Sequence, residues 1–514
     1  MKKILFITLG LAMACNSSQK TVKKKAVVSS SVYAETITEA ELKEYLYKYA
    51  SDEFEGRDTG AEGQKKAVAY LKSKYEALGI PAAKNDGNYF QEVPLEIAKL
   101  PTGGISVNNK DYTIGEDFVS LKPFEGSYSE IIYVGYGIKD GDYSDYDNLD
   151  IKGKVVLIKA GEPMNADGTY VLSGGEASSD WSKPFEGLSN KGKLATDMGA
   201  KGAIYFDPSN YSRYSAFYNR SKNSANGRMS LKSEKTDFFE LYFSEELAKI
   251  MLADISTNVV SQKLSVNLSG KVTSSNDTID SENVVAVIKG SEKPNEYVII
   301  SSHLDHIGIT ADGQINNGAD DDGSGTVALL EIAEAFKKAA DEGNGPKRSI
   351  VFLHVTGEEK GLLGSKYYTD SDPIFPLNQT VANLNIDMIG RIDPKRTGDR
   401  NYIYLIGSDK LSTELHELSE EVNNKYMNLE LDYTYNAEND PNRFYFRSDH
   451  YNFAKNNIPI IFYFNGTHDD YHRPTDTPDK IEYDLLENRS RLVFHTAWEV
   501  ANRNERLIVD KASE

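Results

Sequence analysis

Residues 297–325 constrain this chain more than any other stretch. A β-branched apolar run from Tyr297 to Ser301 stops abruptly at His303, Asp305 and His306. Glycines and asparagines follow, then three consecutive aspartates, Asp320 to Asp322, and a helical pattern opens at Thr326. A buried strand that ends in an imidazole, followed by a tight loop that returns a carboxylate, builds a metal site at the carboxyl edge of an open α/β sheet. The rest of the chain must supply what this stretch lacks.

From about residue 282 the pattern is regular. Candidate strands at Val284–Lys289, Tyr297–Ser302, Ser349–Thr356, Thr380–Asp387, Tyr402–Ile406 and Pro459–Phe464 alternate with helical segments. The helix expected over Thr326–Ala340 has Leu329, Ile332, Ala333 and Phe336 on one face, and others fall near 361–369, 410–424 and 484–504. This alternation predicts an α/β fold with a mostly parallel, mixed sheet covered by helices on both faces.

Upstream, Thr38-x-x-Glu41 is a capping-box pattern before Leu42, Tyr45, Leu46 and Tyr49 at helical spacing. A polar, glycine-rich loop, EGRDTGAEG, leads to a second helix from about Gln64 to Gly79. Residues 115–275 differ: EIIYVGYGI, KGKVVLIKAGEP and KGAIYF are short β-rich runs between Gly- and Asp-rich turns, with a helix over 187–200. That segment reads as a smaller β-rich insertion that divides the main domain into residues 35–114 and 280–510. A chain of 514 residues has room for about three such units.

The first fifteen residues have an export pattern. Lys2 and Lys3 precede the apolar run Ile4–Ala14, which is too short to span a bilayer, and Cys15 follows. The expectation is a lipoprotein signal over 1–15, a lipid on Cys15, and a Ser/Lys-rich tether over 16–34. It implies an exported bacterial cell-envelope lipoprotein, in the periplasm or outer membrane, whose only membrane contact is the lipid.

Cys15 is the only cysteine, so disulfides, thiolate ligands and a cysteine nucleophile are excluded from the mature chain. Any metal must be held by His, Asp and Glu, and all eight histidines lie at or after position 303. A net charge of −20 argues against nucleic acid as a partner.

The candidate ligands fall where strands end. His303 closes one strand, and Asp321 lies in the loop that follows. Glu358 and Glu359 end SIVFLHVTGEE, Asp387 ends TVANLNID, and His472 lies in HDDYHRPTD. Two imidazoles and three carboxylates exceed the three ligands of one catalytic zinc. They suffice for two ions about 3.5–4 Å apart that share one carboxylate and hold a hydroxide between them. In the Glu358–Glu359 pair, successive side chains diverge, so one can bind metal while the other acts as a base.

The blocks HLDH, NGADDDGSG, TGEEKGLLGS, NIDMIG and DYH, in this order, resemble the co-catalytic di-zinc aminopeptidases related to glutamate carboxypeptidase. YVGYGI and KGKVVLIKAGEP resemble the protease-associated domain inserted in many of those enzymes. The resemblance implies two zinc ions per chain, or other divalent ions, with His303 on one ion and Asp321 bridging both. It makes Glu359 a terminal ligand, Asp387 a terminal ligand on the other ion, and His472 the residue that completes the set. Glu358 becomes the general base, Asp305 a hydrogen-bond partner of the His303 imidazole, and Tyr471 the oxyanion stabiliser.

The implied activity is removal of N-terminal residues from peptides. The alternatives are a carboxypeptidase or dipeptidase, with Arg391, Arg443 or Arg447 holding a carboxylate, and a non-catalytic, receptor-like binding protein. Glutaminyl cyclase-like relatives would use one zinc, against the five-ligand set here. No second histidine follows His416-Glu417 at zinc-protease spacing, and no G-x-S-x-G elbow occurs. Asp320 and Asp322 are expected as loop and cap residues. His306, His450 and His468 are expected to line or support the site, with Ser448-Asp449-His450 in the substrate pocket. His354, His416 and His495 are expected to be structural.

Overall fold

A computed structural model of the protein describes residues 29–222, 227–232 and 238–511. The expected signal sequence, Cys15 and residues 16–28 of the expected tether lie outside these residues. The end of that tether is packed instead: Ser31–Ala34 is a helical turn, and Tyr33 is buried against Trp498, its ring stacked at 5.7 Å. An aromatic ring gains more from burial there than a solvated linker position would give it.

The main sheet has nine strands: β1 (Phe90–Ala98), β2 (Arg228–Leu231), β3 (Asp277–Ile288), β4 (Lys293–His303), β5 (Arg348–Val355), β6 (Thr380–Ile386), β7 (Tyr402–Ile406), β8 (Glu430–Asp432) and β9 (Ile460–Phe464). Their spatial order is β2–β1–β3–β5–β4–β6–β9–β7–β8. The central four, β5–β4–β6–β9, are mutually parallel, whereas β3, β1, β2 and β7 join antiparallel. The sheet is therefore mixed, with its parallel part at the centre.

Helices α1 (Glu39–Tyr49), α2 (Glu62–Ala77), α3 (Gly325–Asp341), α4 (Leu363–Asp370), α5 (Thr413–Val422) and α6 (Tyr483–Asn502) cover the two faces. Strand alternation explains the two cores. Val298 and Ile300 of β4 pack with Leu329, Ile332, Ala333 and Phe336 of α3, while Tyr297 and Ile299 face Tyr368 and Phe453 on the other side. A strand buried on both faces reads as a continuous apolar run, which is why Tyr297–Ser302 has no polar alternation.

A second, six-stranded sheet lies within residues 118–264, with parallel strands Ile131–Tyr133, Val155–Lys159, Gly202–Phe206 and Phe239–Phe243 at its centre. The helix Glu186–Asp197 packs on it, and its apolar clusters share no residue with those of the main sheet. Among the described residues of this stretch the chain returns to the main sheet once, at β2. Among the described residues no helix is long and apolar enough to cross a membrane.

Candidate metal centre

Parallel strands end on the same side of a sheet, so residues just beyond β4, β5, β6 and β9 converge on one edge. His303 is the last residue of β4 and lies opposite Val355 of β5, which puts Glu358 three residues past the end of that pairing. Asp387 follows β6 directly, and His472 lies in the loop between β9 and α6.

The loop from β4 to α3 brings Asp321 back beside His303. At Gly318, with φ of +53°, a Cβ atom would lie 2.3 Å from the Asp321 carbonyl oxygen and 2.6 Å from the His306 ring. Only glycine fits that turn. The flanking aspartates hold the loop. Asp322 accepts the backbone N–H groups of His303, Gly325 and Met388, and Asp320 accepts that of Gly390.

Two donor groups result. His303 Nε2 lies 3.2 Å from Asp321 Oδ1 and 3.5 Å from Asp387 Oδ1. His472 Nε2 lies 3.1 Å from Asp321 Oδ2 and 3.2 Å from Glu359 Oε2. Asp321 thus belongs to both groups, one oxygen to each. His306 adds a second imidazole to the latter group, its Nδ1 2.9 Å from Glu359 Oε1, while its buried Nε2 has no hydrogen-bond partner. His303, Asp321 and Asp387 form one cluster of converging donors and His306, Asp321 and Glu359 a second, to which the more exposed His472 adds its imidazole; such mixed donors suit a borderline cation such as zinc.

The electrostatics follow from this crowding. Burial opposes ionisation of Asp321, but the His303 and His472 imidazoles outweigh it and hold the carboxyl well below its usual range. Burial and the Asp321 charge likewise oppose ionisation of Glu359, and His306 and His472 bring it down to about 2. Glu358 makes no hydrogen bond to an imidazole; burial, opposed by the His303 charge and reinforced by Asp387, Glu359 and Asp449, pushes its carboxyl well above the usual range.

Asp305 is not placed as expected. Its backbone carbonyl, not its carboxylate, meets His303 Nδ1 at 3.0 Å. The carboxylate turns the other way, accepting the Thr59 hydroxyl at 2.7 Å and the Glu358 backbone N–H at 3.1 Å. The reason is spacing: a residue two positions past His303 offers its carbonyl to the ring, and its side chain is free to reach the β5 loop.

Glu358, Asp321, Asp387 and Tyr471 open on one pocket, walled by Met388, Phe444, Phe462 and Phe464 with Arg447 and Thr467. The Tyr471 ring stacks on His472 at 3.9 Å, and burial keeps its hydroxyl protonated. Ser448, Asp449 and His450 pack behind this pocket, bonded to Asn385, Ser365 and the Tyr445 carbonyl. His354 is held between Tyr75 and Ser302, His416 against Ser408, and His495 against Ser30. His468 lies 3.2 Å from Asp320.

Three supporting residues escape a reading of motifs. Asp476, in HRPTD, accepts the backbone N–H groups of Asp320 and Asp321. Thr59 and the buried Arg57 come from the GRDTG loop; the Arg57 guanidinium binds the carbonyls of Tyr49, Leu304, Asn317 and Gly318. The signal was present as polar residues in a glycine-rich loop, but nothing in one sequence places that loop beside residue 304.

Residues 283–497 match the description "Peptidase family M28". The chain carries a peptidase family M28 domain. Among curated relatives, a probable glutamate carboxypeptidase of Arabidopsis thaliana is 37% identical over 106 residues, 21% of this chain and 14% of that protein. A probable leucine aminopeptidase 2 of Aspergillus oryzae is 27% identical over 359 residues, 68% of this chain and 57% of that protein. The chain spans 14% of each of the first three such relatives, all aligned through about a fifth of its own length. Among solved structures, a zinc aminopeptidase from Bacillus subtilis is 18% identical, with a TM-score of 0.46, over 91% of this chain and 97% of that one.

Proposed function

We propose that this protein hydrolyses peptide bonds and removes residues from the N-terminus of peptides. One zinc ion would be held by His303, Asp321 and Asp387, and a second by Asp321, Glu359 and His472. The observation that carries this reading is the position of Asp321, with Oδ1 toward His303 and Oδ2 toward His472. One carboxylate shared between two imidazole-bearing groups is what a two-ion centre requires. Zinc bound there would supply Lewis acidity and lower the pKa of water.

The chain's own groups do the remaining work. Glu358 belongs to neither donor group and opens on the pocket, so its carboxylate takes the proton of the attacking water and returns it to the leaving amine. The bond from its backbone N–H to Asp305 sets the position of that carboxylate. The Tyr471 hydroxyl, kept protonated by burial, donates to the oxyanion that develops at the scissile carbonyl. The carboxylates in the pocket attract a free α-amine, and Met388, Phe444, Phe462 and Phe464 offer an apolar wall to a substrate side chain.

A second reading, cleavage beside a free substrate carboxylate as in a carboxypeptidase or dipeptidase, is favoured by one residue. Of the three candidate arginines, Arg391 is paired with Asp470 and Arg443 lines a separate crevice, whereas Arg447 lines the pocket itself. We read residues 115–275 as a protease-associated insertion, supported by the separate six-stranded sheet and its own apolar core. Export as a lipoprotein anchored through Cys15 is supported by the Lys2–Cys15 sequence.

The test is a panel of amino-acid anilides, N-blocked peptides and peptides with a free or an amidated C-terminus, each assayed with and without chelator, beside metal analysis. Hydrolysis that needs a free amine, stops with chelator and accompanies two zinc ions per chain is the expected result. Equal cleavage of N-blocked substrates would sink the aminopeptidase reading, and one zinc per chain would sink the two-ion centre.

A further inference from the structure

Away from the metal centre, three carboxylates meet where α1 packs on α3. Glu41 lies in the first turn of α1, and Glu331 and Glu334 share one face of α3 at i, i+3 spacing. One oxygen of each lies within 4.8 Å of the others. Glu331 is only 1% exposed, and neither of its carboxylate oxygens has a hydrogen-bond partner. Leu42, Leu46, Leu330 and Ile332 of the same helices belong to the apolar core, and the Thr38 backbone N–H at the start of α1, the Tyr45 hydroxyl and Lys74 are the polar groups that act on Glu331.

A buried carboxylate without partners is costly, and two further carboxylates beside it add repulsion. The cations near the cluster do not cancel this. Lys74 and Lys338 act on it through space without pairing, and the Lys74 ammonium sits 4.1 Å above the Tyr45 ring. Glu41 keeps one oxygen on the Thr38 hydroxyl at 2.8 Å, which leaves its other oxygen for a ligand.

We infer that Glu41, Glu331 and Glu334 bind a hard divalent cation of the calcium class, which fastens α1 to α3. The donor set contains oxygen only, in contrast to the imidazole-bearing groups around Asp321, and that selects calcium or magnesium over zinc. Glu41 and Glu334 are half-buried, so water can reach the open side and complete the coordination shell. Burial together with the Glu41 and Glu334 charges pushes the Glu331 carboxyl up to about 8, so a proton and a cation compete for the same place. The site has a consequence for the rest of the molecule. Helix α3 begins at Gly325, just after the Asp320–Asp322 loop, so a cation on Glu331 braces the helix that follows the shared ligand.

The test uses the full-length protein with excess zinc, so that the imidazole-bearing groups do not take up the probe. Terbium is titrated with excitation through tyrosine. Tyr45, whose hydroxyl senses the charges of Glu331 and Glu334, lies close enough to transfer energy to the ion. Saturable terbium emission is expected, displaced by calcium, reduced in Tyr45→Phe and lost in E331Q. Thermal unfolding gives an independent reading. Without calcium, E331Q should match or exceed the wild-type protein, because a like charge is gone; with calcium, only the wild-type protein gains, and the order reverses. Peptide hydrolysis should be unchanged in E331Q. No terbium emission, emission that survives E331Q, or an E331Q protein that stays the more stable with calcium present would each overturn the site and leave three carboxyls sharing a proton.

Discussion

Asp305 Oδ1 accepts the backbone N–H of Glu358 at 3.1 Å. The same residue holds His303 Nδ1 with its main-chain carbonyl, so one aspartate orients both a metal ligand and the proposed base. Asp305→Ala keeps that carbonyl and removes the carboxylate that positions Glu358, so kcat should fall by roughly 10- to 100-fold with zinc affinity near that of the wild-type protein. Thr59→Val, which removes only the hydroxyl that steadies the carboxylate, should give a smaller loss in the same direction. Steady-state kinetics beside zinc competition with a chelator separate the two roles; a loss of zinc affinity as large as the loss of kcat would count against assigning the carboxylate to the base and the carbonyl to the ligand.

Glu358→Gln keeps the shape of the side chain and removes the proton acceptor. We expect kcat to fall by roughly 10²- to 10⁴-fold with zinc content near that of the wild-type protein. Loss of zinc in parallel with activity would instead make Glu358 a ligand.

Arg447 lines the pocket and rests on Phe444, with 5.0 Å between guanidinium carbon and ring centre. If it holds a substrate carboxylate, Arg447→Met should reduce kcat/KM for peptides with a free C-terminus by roughly 10- to 150-fold, the scale of a charged hydrogen bond. Anilides, which lack that carboxylate, should change little. An equal loss on both substrate sets would assign Arg447 to packing alone.

Arg57 is buried and donates to four backbone carbonyls, three of them in the loop that leads to Asp321. Arg57→Ala removes all four donations at once, although Leu304 still accepts from the Tyr49 hydroxyl and Gly318 from the Gly323 N–H, and should destabilise the fold by about 3 kcal/mol or more, read by chemical denaturation. Arg57→Lys can restore one or two of the contacts and should recover part of the loss.

His354 and His450 are both held down to about 3 by burial. An imidazole whose folded pKa lies below its unfolded value of about 6.5 supports the fold above that value and loses the contribution as pH falls. Each should cost on the order of 2 kcal/mol between pH 7 and pH 5. Denaturation midpoints across that window should drop, and His354→Gln should flatten the decline.

Much of the main sheet was legible in the chain itself. The run Tyr297–Ser302 had to be a strand buried on both faces, and the period of Leu329, Ile332 and Phe336 had to be a helix covering it. The edge strands were harder to read. β1 and β2 carry weak patterns because each packs few apolar side chains, and β2 joins the sheet from within the β-rich segment, 130 residues after β1 closes at 98.

The sequence by itself determined which side chains could meet. His303, Glu358, Glu359 and Asp387 each stand just past an apolar run, and runs of that kind become parallel strands whose carboxyl ends share one edge. Tertiary structure alone decided which atoms face one another. It placed His303 with Asp387 and His472 with Glu359, gave each group one oxygen of Asp321, and turned the Asp305 carboxylate to Glu358. It also brought Arg57 and Thr59 from the far end of the chain and set the unpartnered Glu331 against Glu41. Local patterning sets burial and direction, whereas these distances come from strand register and helix packing between segments up to 300 residues apart.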